Sequence, residues 1–376
     1  MRLYLIGLLK YTLMKIGLFI DNIGHRDVDL NEIHLGNPGI GGSEYQSYIL
    51  AYFLVEFYSD IECVIFTPFE IKLKKKNISN FKVSNVVNAV SLSKEAGIDI
   101  LIINKHSNFG ICDLGDLCNL IDKLKVKTIT VGHNFYSQKE CDLISRSEYI
   151  VRNVYVSRQQ FYLYYNHSIT KKSTYIYAFM PFEDTSIRNL NIGKNVTYTG
   201  SLTSTKGFHV LARNWKNVLK KCPDANLFVV GSGKLYSREA KLGKYNIAEE
   251  SYEKLFINYL LDDKGKILDS VKFLGLLTRD EIKEVYKNTL VGVVNPSGIS
   301  ECCPISSIEY QALGIPVVSK RYGGLIDTIK HYKTGLLFRS EFIFVRYIVK
   351  LLTDYKLNKE FGVNGYNFSR NFFSEK

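Results

Sequence analysis

The stretch from Asn295 to Gly324 constrains the fold most, because it orders a strand, a polar turn, a helix and a second strand within thirty residues. Four apolar residues, 291–294, predict a buried strand that ends in a turn at Pro296 and Ser297. Gly314 and Pro316 predict the end of the helix, and the next strand begins at residue 317. This order is typical of a parallel α/β sheet.

Two glutamates stand out in this stretch. Glu301 lies in the predicted loop and Glu309 in the predicted first turn of the helix, with seven residues between them. Ligands of open α/β sheets bind beyond the carboxyl ends of strands, against helix N-termini whose amides favour anions. The two carboxylates are therefore candidates to hold the hydroxyls of a sugar nucleotide. An alternative is that Ser306 and Glu309 form a capping box, in which Glu309 only satisfies backbone amides.

The stretch resembles the family-4 retaining glycosyltransferases of the GT-B fold, also called glycosyl transferases group 1. Their donor site carries two glutamates separated by seven residues and then an Ala-x-Gly-x-Pro-Val-Val run. This sequence matches the motif at Glu301, Glu309, Ala312, Gly314, Pro316, Val317 and Val318, with Gly323 and Gly324 beyond. The resemblance implies two doubly wound Rossmann-like domains that face a cleft between them.

A second motif of this family follows a predicted strand at 196–199. Family members have an arginine directly after the strand-end glycine and a lysine five positions later, and both bind the donor diphosphate. Here Gly200 and Lys206 match, whereas Ser201 replaces the arginine. A serine donates a hydrogen bond but brings no charge, so stabilisation of the leaving group would fall more heavily on Lys206, helix termini and backbone amides.

Two further signals lie in the first half of the chain. A glycine-rich turn ending in Gly41 and Gly42 leads into a capping-box pattern, Ser43-x-x-Gln46, and then an amphipathic helix. The resemblance implies that this turn lies over the donor diphosphate. His133 follows a predicted strand at 128–131, where family members carry a histidine near the donor sugar; a structural hydrogen-bonding role is the alternative.

The resemblance thus implies a catalytic group and a donor-binding group. The catalytic residues would be Glu301, Lys206 and His133, and the donor-binding residues would be Gly41, Gly42, Gly200, Ser201, Ile305 and Glu309. It implies no cofactor and no bound metal. Asp27-Val28-Asp29 superficially matches an Asp-x-Asp metal motif, but that pattern occurs often by chance and has no ligand cluster near it in the sequence.

The alternation of strands and helices predicts the domain limits. We expect an N-terminal acceptor-side domain over 1–180, a hinge over 181–195, a donor domain over 196–360 and a C-terminal helix over 361–376 that crosses back. Residues 1–13 form either an upstream extension or a segment that touches a membrane. The charged insert at 234–266 has no clear place; it is either a surface helix pair or an acceptor-side feature.

Charge and cysteine content limit the partners and the compartment. The chain has 49 Lys and Arg against 37 Asp and Glu, a net charge of +12, which favours anionic partners. No nucleic-acid motif accompanies this charge. Seven cysteines without a Cys-x-x-Cys pair suit a reducing cytoplasm. The basic run at 71–76 suggests peripheral contact with an anionic membrane, with a solvated loop as the alternative.

Together these features predict a metal-independent retaining glycosyltransferase that moves a hexose or related sugar from a UDP- or GDP-sugar. The acceptor would be a glycan or a lipid-linked saccharide in surface polysaccharide biosynthesis. Within the same fold the alternatives are a nucleotide-sugar epimerase and a phosphorylase. The alternative outside enzymes is a non-catalytic protein that binds nucleotides or glycans.

Overall fold

A computed structural model describes residues 13–105, 112–182, 187, 192–235 and 240–375. Residues 1–12, most of the predicted hinge and residues 236–239 of the charged insert lie outside this range. The predictions for the N-terminal extension and for the hinge therefore fall mainly outside the described residues.

The first half of the chain forms a sheet of seven parallel strands in the order β3-β2-β1-β4-β5-β6-β7. Apolar runs such as Ile-Gly-Leu-Phe in the first strand are buried on both faces, as a parallel sheet requires. The strands are β1 Met14–Phe19, β2 Ile61–Thr67, β3 Ile78–Lys82, β4 Ile100–Asn104, β5 Thr128–Gly132, β6 Ile150–Tyr155 and β7 Ser173–Tyr175.

Five α-helices connect these strands. They are α1 Gly42–Phe57, α2 Val86–Glu95, α3 Leu114–Leu124, α4 Gln138–Arg146 and α5 Arg158–Leu163. The side chains of Asn85, Asp113, Ser137 and Ser157 accept backbone N–H groups at the starts of α2 to α5, which explains where these helices begin. Apolar residues of α1 pack on one face of the sheet, and those of α2, α3 and α4 pack on the other.

The start of α1 differs from the sequence prediction. The helix begins at Gly42 with Gly41 as its N-cap, and no side chain caps it, so the predicted Ser43–Gln46 capping box is wrong. The Gln46 amide instead pairs with the backbone of Phe179, donating to its carbonyl at 2.7 Å and accepting from its N–H at 3.0 Å. These hydrogen bonds to Phe179, 133 positions away, take the place of the predicted bond between Gln46 and the backbone at the helix start.

The second half forms a sheet of six parallel strands in the order β10-β9-β8-β11-β12-β13. The strands are β8 Asn195–Thr199, β9 Asn226–Val230, β10 Val271–Gly275, β11 Val291–Val294, β12 Val317–Lys320 and β13 Gly335–Phe338. Its helices are α6 Phe208–Leu219, α7 Glu250–Phe256, α8 Arg279–Lys287, α9 Ile305–Ala312, α10 Leu325–Thr328, α11 Glu341–Thr353 and α12 Tyr355–Phe373. Trp215, Phe208 and Phe256 are fully buried at its centre.

The described part of the charged insert belongs to this core. Tyr252 and Phe256 of α7 pack against Phe208, and the Tyr252 hydroxyl lies 3.1 Å from His209 Nδ1. The buried Glu253 carboxylate accepts the backbone N–H groups of Tyr245 and Ile247. These contacts show that the insert is largely a structural element of the second sheet's core.

The C-terminal helix α12 packs on α9 and then returns to the first half of the chain. At its end, the Met180 N–H donates to the Phe373 carbonyl at 2.9 Å, and the Phe373 ring lies 5.4 Å from that of Tyr177. Arg370 lies over the ring of Phe182. The two halves are therefore joined by the connecting segment and by this helix.

In both sheets the strand order reverses beside the first strand of the half, between β1 and β4 and between β8 and β11. The carboxyl ends of strands at such reversals form the crevices in which α/β proteins bind ligands. The prediction of an α/β chain with two doubly wound sheets is confirmed. Within the described residues, none of the helices combines the length and apolarity that a bilayer span needs.

Candidate functional site

An ion pair lies at the carboxyl ends of β8 and β11. Lys206 Nζ donates to Glu301 Oε2 at 2.9 Å, and Asn295 Nδ2 donates to the same oxygen at 2.8 Å. Glu301 is 5% exposed, so its charge is held by these two donors and little by water. Two of the predicted catalytic residues are thus in direct contact, although 95 positions separate them.

The loop that carries Glu301 has a fixed backbone. Asn295 directly follows β11 with φ of +32°, and its Oδ1 accepts hydrogen bonds from the Ser297 hydroxyl and the Gly298 N–H. The Gly324 N–H donates to the Glu301 carbonyl at 2.9 Å. The sequence analysis did not single out Asn295, yet an asparagine immediately after a buried strand is a residue that tolerates positive φ and could have been flagged.

Close backbone contact brings the Lys206 loop against the Glu301 loop. Gly207 has φ of +73°, and a Cβ built on it would lie 2.5 Å from the Ser297 nitrogen. The Ser297 hydroxyl also donates to the Thr205 carbonyl at 3.2 Å. Only glycine allows both this conformation and this approach.

Ser201, which stands where the family arginine is expected, is 2% exposed at the end of β8. Its hydroxyl has no hydrogen-bond partner among the described residues. The neighbouring Gly200 N–H donates to the Val230 carbonyl at 3.1 Å. A buried hydroxyl without a protein partner costs free energy, and a ligand that accepts its hydrogen bond removes that cost.

The structure corrects the predicted place of Glu309. The helix α9 starts at Ile305 with Pro304 as its N-cap and no side-chain cap, so Ser306 lies inside the helix and the predicted capping box is wrong. Glu309 is the fifth helical residue and lies in the second turn rather than the first. The fixed φ of Pro304 favours a helix start at this point, before Ser306 can serve as a cap.

Glu309 lies against a buried tyrosine network. Tyr286 hydrogen-bonds its carboxyl, and the hydroxyls of Tyr286 and Tyr310 both meet Thr199 Oγ1, at 3.1 and 2.7 Å. Burial of the carboxyl raises the pKa of Glu309 to about 7, and the Tyr286 hydrogen bond partly offsets that rise. A carboxyl with this pKa changes its charge in the neutral pH range.

The first half of the chain approaches this site through the turn before α1. A Cβ built on Gly42 would lie 3.4 Å from Ile305 Cδ1 at the start of α9, so Gly42, next to Gly41, meets Ile305 across the cleft. Phe135 and Tyr322 form a further contact across it, with ring centroids 6.4 Å apart. His133, after β5, lies on the first-half side and lines a pocket together with Asn104 and Phe179.

A second, partly buried ion pair, which the sequence did not predict, lies beside β4. Lys105 follows β4, is 9% exposed and donates to Glu140 Oε2 at 2.7 Å and to the Phe135 carbonyl. Its charge also acts on Cys302, next to Glu301. Its only sequence signal is a lysine directly after an apolar strand, which is a common pattern.

The Asp-x-Asp sequence near the N-terminus is occupied by local contacts. Asp29 Oδ1 accepts hydrogen bonds from the backbone and side chain of Asn31, and Asp27 lies 3.6 Å from Arg26. Across the described residues, no three His, Cys, Asp or Glu side chains are grouped as ligands of a metal ion would be.

Known proteins resemble this chain in sequence over its second half and in fold over nearly all of it. The family model for glycosyl transferases group 1 matches residues 185–368. The capsular polysaccharide biosynthesis glycosyltransferase CapM of Staphylococcus aureus is 28% identical over 191 residues, which are 50% of this chain and 44% of CapM. This chain spans less than half the length of the curated relatives it matches.

Two solved structures resemble nearly the whole chain. The sucrose-phosphate synthase of Thermosynechococcus elongatus superposes with a TM-score of 0.69 at 17% identity, covering 96% of this chain and 95% of its own. Anabaena HepE, solved with UDP and glucose, has a TM-score of 0.66 at 13% identity and 96% coverage of both chains. These likenesses confirm the GT-B fold.

Proposed function

We propose that this chain, whose residues 185–368 match the family model for glycosyl transferases group 1, is a retaining glycosyltransferase of that family. It transfers a hexose or related sugar from a nucleoside diphosphate donor to a glycan or lipid-linked acceptor, without a metal ion. The observation that carries the proposal is the contact between Lys206 and Glu301 where β8 and β11 end. Sugar transfer requires a cation that binds the diphosphate and, close to it, a carboxylate that binds the hydroxyls of the donor sugar.

In this proposal each part of the nucleotide-sugar donor has a partner in the protein. Lys206, the Ser201 hydroxyl and the amides of the Gly41–Gly42 turn bind the diphosphate, whereas Glu301 accepts hydrogen bonds from the donor sugar. Glu309 accepts the ribose hydroxyls. HepE was solved with UDP and glucose, which supports UDP-glucose as the first donor to test. The CapM relative supports a role in polysaccharide synthesis.

The chemical step breaks the bond between the anomeric carbon and the diphosphate oxygen, and the electron pair leaves with the diphosphate. The acceptor hydroxyl attacks the same face of the sugar and passes its proton to the departing phosphate oxygen. Lys206 stabilises the negative charge that develops on the leaving group. The alternative step is attack by the Glu301 carboxylate on the anomeric carbon, which would form a covalent glycosyl-enzyme intermediate.

The test is a calorimetric titration of the protein with UDP and with GDP in the presence of a chelator. We expect micromolar binding of one nucleotide and a loss of roughly tenfold or more in Glu309→Ala, because the ribose loses a charged hydrogen-bond partner. Glu284→Ala is the matched control, since Glu284 is an exposed glutamate of α8 that we expect to leave binding unchanged.

Absence of binding by folded wild-type protein would refute the proposal and favour a protein of another function. Turnover is then measured as release of the nucleotide from UDP-glucose. Activity that disappears in chelator and returns with manganese would contradict the metal-independent mechanism.

A further inference from the structure

The first half of the chain contains an apolar cavity of about 270 Å³ next to His133. It lies between the inner face of α1, the strands β1, β4, β5 and β6, and the segment 176–179. Protein interiors rarely hold voids larger than a water molecule. This cavity exceeds the roughly 150 Å³ of an apolar cavity that is known to bind benzene.

The described lining is chemically unsuited to a sugar. It consists mainly of aliphatic side chains and includes no Asp, Glu, Lys or Arg. Three of its polar side chains are engaged with the protein: Gln46 pairs with the Phe179 backbone, and the Ser47 hydroxyl donates to the Ser43 carbonyl and accepts from Asn104. A saccharide placed there would leave its hydroxyls without partners, at a cost in free energy for each one.

The position of the cavity connects it to the proposed reaction. Phe19 and Asn104 end β1 and β4, and His133 follows β5, so these lining residues lie at the carboxyl edge of the sheet that faces the cleft. Ala178, also in the lining, hydrogen-bonds through its backbone with Cys303, two residues from Glu301. A molecule that extends from the cavity therefore reaches the region of the donor site.

We propose that this cavity binds an aliphatic chain of an amphiphilic acceptor, whose hydroxyl-bearing head lies in the cleft near His133. The inference rests on the proposed transferase function and narrows the acceptor to one that carries an apolar chain. Most of the lining is aliphatic, including Ile129, Val131 and Val154 on the sheet side, so burial of an apolar chain against it is favourable.

The test measures binding of methyl, butyl and octyl β-glucosides by calorimetry, below their critical micelle concentrations and with saturating UDP. We expect affinity to rise about fourfold for each added methylene until the cavity is filled, since that is the usual gain for burying one. Equal affinities of the methyl and octyl compounds would overturn the proposal. Phenyl β-glucoside binding as tightly as octyl β-glucoside would overturn the assignment to a chain.

Two variants on β6 test whether the cavity causes the rise in affinity with chain length. Val154→Phe fills the cavity and should abolish the gain with chain length, whereas Val151→Phe, at an exposed position of β6, should retain it. A gain that survives in folded Val154→Phe would refute the cavity as its source. If Val154→Phe does not fold, the smaller filling variant Ala178→Val replaces it.

The UDP titration in the same experiment separates the two hypotheses. If UDP does not bind, the transferase proposal fails whatever the glucosides do. If UDP binds and the glucosides show no dependence on chain length, only the inference about the acceptor fails.

Discussion

Lys206 and Glu301 lie 2.9 Å apart, so in the proposed mode of binding a donor diphosphate has to compete with the carboxylate for the lysine. When the diphosphate takes Lys206, the Glu301 oxygen gains a vacant acceptor position that a sugar hydroxyl can fill. Asn295 keeps the carboxylate oriented during this exchange. At the scale of single residues, the site therefore exchanges one set of partners for another rather than creating uncompensated charge.

Ser201 provides a prediction at this scale. Ser201→Ala removes a hydroxyl that has no partner among the described residues, so we expect a change in unfolding free energy of less than about 1 kcal/mol. A hydrogen bond to a charged group is worth about 1.5–3 kcal/mol, so UDP affinity should fall roughly 10- to 100-fold. Urea unfolding and calorimetry measure the two quantities.

The control for Ser201 is Ser319→Ala. Ser319 is also buried, but its hydroxyl donates to the Val294 carbonyl, so its loss should lower stability by about 1 kcal/mol. Unchanged UDP affinity in Ser201→Ala would contradict the assignment of this hydroxyl to the diphosphate.

Glu309 predicts a pH dependence of donor binding. Its pKa of about 7 means that the carboxyl is mostly protonated at about pH 6 and mostly ionised at about pH 8. In the proposed mode of binding the ionised form accepts ribose hydroxyls, so we expect the affinity for UDP-glucose to rise about tenfold across this range. UDP-glucose is the probe because its diphosphate does not titrate there. In Glu309→Gln the affinity should be lower and nearly independent of pH; a slope equal to that of wild type would assign the titration to another group.

At the scale of elements, the short connections after strands determine the site more than the strands do. The sequence predicted the strands at 128–131, 196–199 and 291–294, the position of α9 within a few residues and the loop that holds Glu301. It did not predict that Tyr286 hydrogen-bonds Glu309 or that the Phe179 backbone pairs with the Gln46 side chain. These contacts join residues far apart in sequence, whereas both capping-box predictions used local spacing and were wrong.

Gly207 gives a prediction about the two loops. In Gly207→Ala the new Cβ meets the Ser297 backbone at 2.5 Å, so the loops must separate and Lys206 must move from Glu301. We expect a loss of roughly 2 kcal/mol or more in stability from strain and clash together, and a large loss of turnover. Gly265→Ala is the control, since Gly265 has a similar φ of +75° but nothing within 4 Å of its Cβ position.

Urea unfolding of both glycine variants separates the cost of backbone strain from the cost of the clash with Ser297, because Gly265→Ala introduces only the backbone strain. Equal losses of stability in the two variants would show that the contact with Ser297 contributes nothing. Full turnover in Gly207→Ala would show that the approach of the loops is not required.

At the scale of the whole molecule, the two halves meet through contacts of different kinds. Phe373 at the end of α12 is 1% exposed against Tyr177, and Met180 pairs with its backbone. Arg158 lies 3.5 Å from the buried Asp327, and Arg279 lies 3.3 Å from Glu32. The expected limits of the hinge stay a prediction, since most of that segment lies outside the described residues.

Phe372 and Phe373 are adjacent at the end of α12, and variants of the two test whether the end of this helix stabilises the fold. Phe373→Ala should lower the free energy of unfolding by about 3–5 kcal/mol, as loss of a buried aromatic usually does. Phe372→Ala should change it by less than about 0.5 kcal/mol, because Phe372 is 60% exposed. Denaturant unfolding measures both, and similar values for the two variants would mean that the end of α12 does not stabilise the fold.

The contact between Met180 and Phe373 also has a mechanical consequence. The connecting segment and the returning helix meet at Met180 and Phe373. We expect any rotation of the two halves to occur about this contact, so that residues far from it move most. The ion pairs Arg279–Glu32 and Arg158–Asp327 connect the two halves, so both must break if the halves move apart. Salt screens the exposed Arg279–Glu32 pair more than the pair of the buried Asp327, so we expect high ionic strength to weaken the first contact and to leave the contact at Phe373 intact.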